Sequence, residues 1–490
     1  MKLTIKRIIA FCIFLATALH FSFANAGEGV FGWIYSLDLQ PKGKLEFEQR
    51  LQLNQQQAAG SYDAWTARTE LEYGLTNDLQ VAGYINSYYT NANQNYTNPE
   101  ACGESPSCTG GYGVPSSHDP STAYRKSGIE GGSLEAIYRI TNPVTSPVGV
   151  GLYLEPTWGR NKDEIEARLL LQSNFIDDRL VLAGNVVVAN ERLKFIENGN
   201  VPESMMDFLV GASYRFAPKW SAGVEARFHN DYSELNLRNQ VQRATFLGPN
   251  MHYAAKDWWV TGAWRYQLKG GTCMGGGEAE CSNARVWDSH SVNEFIVKVG
   301  IPLNLAQKNL MHWKPTPLMM AGLLMVSAPI MVQAKIYVSI EQAQNLIFPN
   351  KVFTKKPILI TEDLQEKMRS ASSIRHPFQG DRIWQADDGS WFVVDEVVGK
   401  HEMITYAVGL SPTGVVQGIE ILEYVESYGY EVAEAQWRKQ FIGKTAGDQI
   451  KLNQDIQNIS GATLSSKHLT DGVKRVVTFY DLALKKPSRK

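Results

Sequence analysis

The sequence predicts two structural parts: an antiparallel transmembrane β-barrel of about twelve strands, followed by a small α+β domain. Three observations lead to this prediction. Apolar and polar residues alternate along successive segments of residues 27–305, as in strands whose two faces meet different surroundings. The connections between these segments are alternately short and long. Residues 335–490 lack cysteine and have mixed helical and extended patterns, so at least two domains are expected.

The strand pattern places charged side chains on one face and apolar side chains on the other. Leu45, Phe47 and Leu51 alternate with Glu46 and Glu48. Taken over several strands, the charged face comprises Glu46, Glu48, Arg68, Glu70, Glu72, Glu225 and Arg227. A soluble secreted β-sandwich also alternates, but its core would not tolerate these charges, whereas an ion-paired or water-filled lumen would.

The lengths of the connections support a barrel. Short turns are expected near 74–78, 141–147, 176–179, 217–219 and 254–257. Longer polar stretches lie near 55–60, 90–129, 159–163, 191–203, 231–242 and 269–290. Eleven connections join twelve strands and return both chain ends to one side, as in outer-membrane barrels with short periplasmic turns.

Aromatic residues near the strand ends are typical of the girdles of such barrels. They are Tyr84, Tyr88, Tyr89, Trp158, Trp258, Trp259 and Trp264. On these features residues 27–305 resemble an uncharacterised family of Gram-negative outer-membrane β-barrels. The resemblance implies outer-membrane lipid as a partner, and it implies no particular cargo.

Residues 1–26 have the features of a secretory signal peptide. A basic start precedes an apolar run over 8–23, and Ala24-Asn25-Ala26 is a small-residue pattern suited to cleavage. The sequence therefore predicts export and a mature chain that begins at Gly27.

Four cysteines of the exported chain form two local pairs. Cys102 lies near Cys108, and Cys273 lies near Cys281, each pair in a stretch rich in Gly and Ser. Neither spacing is that of a zinc site, so we expect two disulfides that close loops in an oxidising compartment.

A second signal-like segment lies in the linker 306–334. Basic residues precede an apolar run over 318–332, and Val332-Gln333-Ala334 ends it. This repeats the signal-peptide pattern, and the run is short for a membrane span. The repeated pattern predicts that two neighbouring exported proteins have been read as one chain. The second would start at Met311, and its mature form would begin at Lys335. A genuine fusion with an apolar tether is the alternative.

The second part, residues 335–490, is expected to form one α+β domain. Helices are predicted over 340–348, 362–372, 432–441 and 465–484, and strands over 391–398, 403–410 and 415–424. The last two strands form a hairpin around Ser411-Pro412-Thr413-Gly414.

Ahead of the last helix stands Ser460-Gly461-Ala462-Thr463-Leu464-Ser465. Here the sequence resembles the FMN-binding domain family, which includes flavin-carrying subunits of Rnf-type and sodium-pumping quinone reductase complexes. The motif of that family is Ser/Thr-Gly-Ala-Thr followed by Ser or Thr. The resemblance implies FMN bound covalently, as a phosphoester to Thr463 that a flavin transferase makes.

Two further stretches carry the resemblance, which covers 335–490. They are Glu426-Ser427-Tyr428-Gly429 and Gln440-Phe441-Ile442-Gly443-Lys444. The resemblance implies a cofactor site formed by Thr463, Ser460, Gly461, Ala462, Ser465, Glu426 and Ser427. One departure is Gln457, where family members often carry Asp; the nearest acid is Asp455.

The local chemistry suits a flavin site. Small residues before Thr463 leave its hydroxyl accessible to a modifying enzyme, Gly461 tolerates positive φ, and a following helix offers free N–H groups to a phosphate. The alternative is an ordinary helix cap, in which Thr463, Ser465 or Ser466 bonds the first turn.

These features predict electron transfer in the periplasm between the flavin and a membrane-bound donor or acceptor. The protein would then be an electron-transfer flavoprotein or a reductase component rather than a stand-alone enzyme. One rival is an outer-membrane channel or porin with the flavin domain as a redox sensor, and another is a barrel that is only a passive scaffold. The net charge of −2 gives no sign of a nucleic-acid partner, and we expect neither catalytic nor metal-ligating residues.

Overall fold

The computed structural model describes residues 29–57, 60–95, 111–115, 117–194, 201–255, 258–272, 290–303, 335–336, 338–400, 402–424, 429–459 and 462–485. The signal peptide, both cysteine pairs and the linker 306–334 lie outside the described residues. Within these ranges, no helix combines the length and the apolar character that a membrane span requires.

The first part is a closed barrel of twelve antiparallel strands, as predicted. The strands are β1 (Leu45–Gln55), β2 (Ser61–Gly74), β3 (Leu79–Asn93), β4 (Tyr124–Thr141), β5 (Gly149–Gly159), β6 (Lys162–Phe175), β7 (Leu180–Leu193), β8 (Val201–Ala217), β9 (Trp220–Ser233), β10 (Asn239–Ala254), β11 (Trp259–Thr272) and β12 (Asn293–Leu303). The barrel closes where β1 pairs with β12, from Leu45 opposite Leu303 to Gln55 opposite Asn293. Both ends of the barrel chain therefore lie at one rim.

The five predicted short turns all lie at this rim, which we call the turn end; the opposite rim is the loop end. One predicted long connection is wrong: only Arg160 and Asn161 separate β5 from β6. Glu130 accounts for the tight turn, because its carboxylate accepts a hydrogen bond from the Asn161 backbone at 2.7 Å and another from the Asn161 side-chain amide at 2.6 Å.

The barrel is apolar outside and charged inside. Leu51 and Val297 are 42% and 45% exposed, whereas Glu46 and Glu225 are 0% and 3% exposed. This distribution rules out the sandwich alternative, because a sandwich buries its apolar face. The prediction that Tyr84 and Trp259 belong to the aromatic girdles is wrong, because both side chains are buried. Tyr84 donates to Glu135 and Trp259 donates to Glu46, and both carboxylates are buried with them.

Residues 29–40, which we call the luminal segment, occupy the lumen ahead of β1. Its backbone amides bond to buried polar side chains of the wall: Gly32 donates to Glu225 at 2.6 Å, and Leu37 donates to Gln172 at 2.7 Å. Phe31 and Ile34 pack against Ala183, Val187 and Leu209. The wall groups thus replace water as partners of an otherwise unpaired backbone.

The sequence analysis did not predict the luminal segment. The sequence feature that could have indicated it is a set of apolar residues, Phe31, Ile34, Leu37 and Leu39. A solvent-exposed segment before the first strand would not need them. They are 0%, 2%, 1% and 8% exposed.

The second part is a six-stranded antiparallel sheet with helices packed on it. Its strands are β13 (Lys335–Ile336), β14 (Phe353–Lys355), β15 (Ile383–Ala386), β16 (Trp391–Val398), β17 (Met403–Leu410) and β18 (Val416–Tyr424), in the order β13-β18-β17-β16-β15-β14. The helices are α1 (Ile340–Ile347), α2 (Glu362–Ser372), α3 (Ala435–Arg438) and α4 (Thr463–Phe479), and a π-helical turn follows at Tyr480–Leu484.

The predicted helices and the hairpin are confirmed, with one correction. The expected helix over 432–441 consists of α3 between two 3-10 turns, Tyr430–Ala433 and Lys439–Phe441. Trp437 and Phe441 are buried there. Short turns suffice because these two aromatic anchors, rather than a continuous apolar stripe, fix the segment to the core.

Helix α4 crosses the sheet and carries a buried ion pair. Arg475 is 0% exposed and its guanidinium contacts both oxygens of Asp395 at 2.7 and 2.8 Å. Tyr406 donates to the same carboxylate at 2.7 Å. The buried charges are thus matched and hydrogen-bonded, and they fix α4 against β16 and β17.

Candidate functional site

Thr463 is the first residue of α4. The residue before it, Ala462, takes the N-cap position with φ −125° and ψ 25°, and no side chain of the described residues caps the helix. The alternative of a cap by Thr463, Ser465 or Ser466 is therefore wrong. Thr463 is half-buried, and its hydroxyl accepts a hydrogen bond from the Asn458 amide at 3.0 Å.

The first turn of the helix lies beside this hydroxyl and carries backbone donors that the helix itself does not use. Its first internal hydrogen bond runs from the Ser466 N–H to the Ala462 carbonyl at 2.8 Å. The N–H groups of residues 463–465 consequently have no partner within the helix. Together with the helix dipole they favour an anion next to Thr463.

The Asn458 amide that donates to Thr463 also has a buried carbonyl oxygen, Oδ1, which lacks a partner among the described residues. An unsatisfied buried polar atom costs stability unless water or a ligand pairs with it. Asn458 Oδ1 only accepts hydrogen bonds, so a donor such as water or a ligand N–H, and not a phosphate oxygen, would satisfy it.

Ser465 and Gly429 form the floor of the site. Ser465 is buried and its hydroxyl lies 3.1 Å from that of Tyr424, on β18. Gly429 has φ 75°, and a Cβ there would lie 2.4 Å from Ser465 Oγ and 2.9 Å from the Tyr424 hydroxyl. Only glycine combines this conformation with so close an approach, so the end of the 426–429 stretch is set directly against α4.

The segment before Thr463 is held by a carboxylate-centred turn. Asp455 accepts hydrogen bonds from the backbone of Lys451 at 2.7 Å and Ile450 at 3.1 Å, and from Lys444 Nζ at 2.8 Å. Partial burial opposes ionisation, but these donors outweigh it and lower the pKa of Asp455. Asp455 therefore has a structural role two residues from Gln457, the position where the sequence departs from the family pattern.

Gln457 bonds through its backbone. Its N–H donates to Gln440 Oε1 at 2.8 Å, and its carbonyl accepts from Trp437 Nε1 at 2.7 Å. This connects the predicted 440–444 stretch to the approach to Thr463. Of the residues predicted for the cofactor site, the structure brings Thr463, Ala462 and Ser465 together, while Ser460, Gly461, Glu426 and Ser427 lie outside the described residues.

Asn458 and Tyr424 have hydrogen-bonding roles in this site that the sequence did not assign to them. Asn458 stands five residues before Thr463, a spacing with no helical or strand period to give it a role. Tyr424 is 41 residues from its partner Ser465 in the sequence. The two residues come together only because strand β18 of the sheet lies beside the start of α4.

Thr463 lines a cavity of about 580 Å³ between the second part and the turn end of the barrel. From the second part come Asn458, Ala462, Thr463 and Ser465; from the barrel come, among others, Arg139 and Arg179. The cavity is large enough for a cofactor to reach out of the domain.

Specific contacts join the two parts around this cavity. Asp178, in the turn between β6 and β7, lies 2.7 Å from His468 Nε2 and 3.8 Å from Lys467 Nζ. Lys219 pairs with Glu402 at 3.2 Å, and Lys400 pairs with Asp38 at 2.9 Å. Burial opposes ionisation of Asp178, but His468 and Lys467 outweigh it and lower the pKa of this carboxyl from 3.8 to about 2.

Comparison with known proteins assigns the first part to a family. A family model described as "Family of unknown function (DUF6662)" matches residues 23–303. The chain belongs to this family. A model of the FMN-binding domain matches residues 399–478, so this DUF6662 member carries a second, FMN-binding domain that includes Thr463.

The FMN-binding domain has a curated relative, which is one subunit of the Na(+)-translocating ferredoxin:NAD(+) oxidoreductase complex of Acetobacterium woodii. The two chains are 33% identical over 81 residues. The match covers 15% of this chain and 39% of the relative. The chain thus spans about two fifths of the length of that relative.

The DUF6662 barrel is similar in fold to solved outer-membrane proteins. The COG4313 outer membrane channel from Pseudomonas putida F1 is 10% identical, covers 56% of this chain and 100% of its own, and has a TM-score of 0.39. The Ralstonia pickettii toluene transporter TbuX is 12% identical, covers 57% and 97%, and has a TM-score of 0.28. At this level the likeness indicates neither cargo nor activity.

Proposed function

We propose that this protein is an electron-transfer flavoprotein that carries FMN as a phosphoester on Thr463, at the periplasmic end of an outer-membrane barrel. The observation that carries the proposal is the state of Thr463. Thr463 is half-buried, has no capping role and begins a first turn whose N–H groups have no partner within the helix. The matches to the FMN-binding domain and to the Acetobacterium woodii relative support FMN as the group.

The residues around Thr463 would bind and orient the phosphate. The N–H groups of residues 463–465 would donate to its oxygens, and the helix dipole would stabilise its charge. Asn458, which already donates to the Thr463 hydroxyl, would hold the ester oxygen in position. Ser465 and Tyr424 would keep the first turn of α4 in place from below.

When bound, the flavin supplies the one- and two-electron chemistry, and the protein supplies position and electrostatics. A single covalent attachment fits an electron carrier because the group must not be lost between a donor and an acceptor. We propose a membrane-bound donor or acceptor and a flavin transferase as the partners of this domain.

The chain topology supports a periplasmic flavin. Strand β12 ends at the turn end of the barrel, and short turns face the periplasm in outer-membrane barrels. Whatever follows β12 therefore emerges on that side. Docking through Asp178, Lys219 and Lys400 would keep the two parts together whether or not the linker is cleaved after Ala334.

The rival function, an open channel, is less well supported. The luminal segment fills part of the lumen, and its amides are bonded to Glu225, Asn185 and Gln172 on three different strands. An unobstructed aqueous pore would require this segment to leave. A barrel that anchors the flavin domain needs no such change.

Flavin fluorescence in denaturing gels tests the proposal. Wild type would be expressed with a flavin transferase, and membrane and soluble fractions would be compared. We expect fluorescence that survives denaturation on the polypeptide that contains Thr463, and none in Thr463→Val. The matched control is Thr413→Val, in the exposed hairpin turn between β17 and β18, which should stay fluorescent. Fluorescence retained in Thr463→Val would exclude this attachment site.

A further inference from the structure

Three metal-ligand side chains converge near the loop end of the lumen. His229 and Asp231 lie on β9, and His290 lies just before β12. Asp231 carboxylate oxygens lie 2.9 Å from His229 Nε2 and 3.3 Å from His290 Nε2. One donor atom from each residue lies within 4.8 Å of the others.

No motif in the sequence marks this cluster. His290 is separated from the other two residues by two strands, and it does not lie in a His-rich stretch. Alternation along β9 directs His229 and Asp231 to the same face, and closure of the barrel brings His290 beside them. Their rings confirm the proximity, because the His229 and His290 centroids lie 4.1 Å apart.

The Nε2 atom of His229 is buried and has no hydrogen-bond partner among the described residues. Asp231 Oδ1 lies 2.9 Å from this atom, close enough for an ion pair. His229 itself is 3% exposed. A buried ring nitrogen beside a carboxylate oxygen offers a cation two ligand atoms at once.

The opposite nitrogen of His229 is oriented by a second carboxylate. His229 Nδ1 lies 2.5 Å from Asp207 Oδ1, and Arg227 Nε donates to the other Asp207 oxygen. A proton on Nδ1 leaves the lone pair of Nε2 free to bind a cation. This carboxylate–histidine arrangement supports metal-binding histidines in proteins and fixes their tautomer.

We propose that His229, Asp231 and His290 bind a divalent transition-metal ion of the zinc class. Two imidazoles and one carboxylate are ligands that such ions prefer. With bonds of about 2.0–2.1 Å, tetrahedral ligand atoms lie roughly 3.3 Å apart. The Asp231–His290 separation equals this value and the Asp231–His229 separation is 0.4 Å shorter, each to a different Asp231 oxygen. Three protein ligands leave one position for water or an exogenous ligand.

The surrounding charges are compatible with such an ion. Arg227 and Arg265 lie on the same stretch of wall, and Asp207 and Glu294 pair with them. The Asp231 carboxylate then offsets part of the charge of the ion. Asp231 and His290 lie within three residues of the loop ends of their strands, so the ion would enter from the outer side of the membrane.

Zinc retention by the purified full chain tests the site. The protein would be prepared without a histidine tag, stripped with a chelator and dialysed against Zn²⁺. We expect one ion per chain, at least 100-fold weaker binding in Asp231→Asn and His290→Ala, and about 10- to 100-fold weaker binding in Asp207→Asn. No stoichiometric binding by wild type, or binding unchanged in these variants, would overturn the proposal.

The control is His252→Ala. His252 is also a buried luminal histidine, but it contacts Thr261 at 2.8 Å and lies outside the cluster. Its loss should leave zinc binding unchanged. Heat-modifiable gel migration shows that each variant still forms the barrel, and His290→Gln replaces His290→Ala if the latter does not. Zinc binding lost equally in His252→Ala would count against a local site.

Discussion

Among individual residues, those that satisfy buried charge matter most to the second part. Arg475, Asp395 and Tyr406 come from three elements and are brought together only by the sheet and α4. A charge taken out of water needs a close partner and hydrogen bonds, and here each group has both. Thr463 lies at the other end of the same helix, so this network also positions the start of α4.

Removing one member of this network should therefore destabilise the domain strongly. Asp395→Ala leaves the guanidinium of Arg475 buried and unpaired, and we expect a loss of about 3–5 kcal/mol in the free energy of unfolding. Hydrogen exchange of residues 391–410 in urea, followed by mass spectrometry, measures it. The control is Lys367→Ala, which breaks an ion pair whose side chains are 57% and 75% exposed and should change little. Equal effects of the two variants would contradict a structural role for the buried pair.

Among the secondary-structure elements, the barrel strands, β16 to β18 and most helices could be predicted from sequence because each repeats a local period. The strands β13, β14 and β15 were not predicted, because two to four residues are too few to show a period. The alternation of β1, for example, is visible in Leu45 to Leu51 without any knowledge of its neighbours. The luminal segment could not be predicted in this way. It is irregular, and its partners Glu225, Asn185 and Gln172 are more than 130 residues away.

The residues of the candidate sites show the same difference between local patterns and long-range contacts. The Thr463 motif is contiguous and was predicted, whereas the Tyr424–Ser465 contact and the His229–His290 cluster depend on tertiary pairing. The short 3-10 turns around α3 were predicted as one helix because 3.6-residue and 3.0-residue periods differ little over so few residues.

The luminal segment yields a prediction of its own. A Cβ at Gly211 would lie 2.6 Å from Ile34 Cδ1 and 3.0 Å from Phe31 Cε1. Gly211→Val should therefore displace the segment and raise the single-channel conductance in planar bilayers, while valine itself suits a strand. The control is Gly184→Val on β7, where the nearest atoms lie at 3.4 and 3.8 Å. Conductance that stays at the wild-type value in Gly211→Val would mean that the segment does not obstruct the lumen.

In the molecule as a whole, the barrel and the FMN-binding domain meet around the cavity beside Thr463. The prediction that 311–334 is an export signal cleaved after Ala334 concerns residues outside those described and stays a prediction. Recovery of the flavin domain as a separate polypeptide that begins at Lys335 would support it. A single species near the full mature mass in the outer membrane would show a genuine fusion.

Docking of the two parts should weaken in acid. The pKa of Asp178 is lowered from 3.8 to about 2, so its contribution is present above about pH 4 and is lost as the pH falls toward 2. The full contribution corresponds to about 2 kcal/mol. Asp178→Asn should remove it at neutral pH, measured as faster hydrogen exchange of residues 467–471. Asp119→Asn removes a carboxylate that contacts Ser121 in the loop-end connection between β3 and β4, and it is the control for charge alone; equal effects of both variants would argue against a specific Asp178–His468 contact.

The proposed function depends above all on the phosphoester at Thr463, which peptide mass spectrometry can detect. Trypsin cleaves after Lys451 and Lys467 and releases the peptide 452–467, which contains Thr463. From protein produced with a flavin transferase, we expect this peptide with the added mass of FMN less one water, and fragment ions that place the addition on Thr463. Only the unmodified peptide, or flavin on a different peptide, would contradict the proposal.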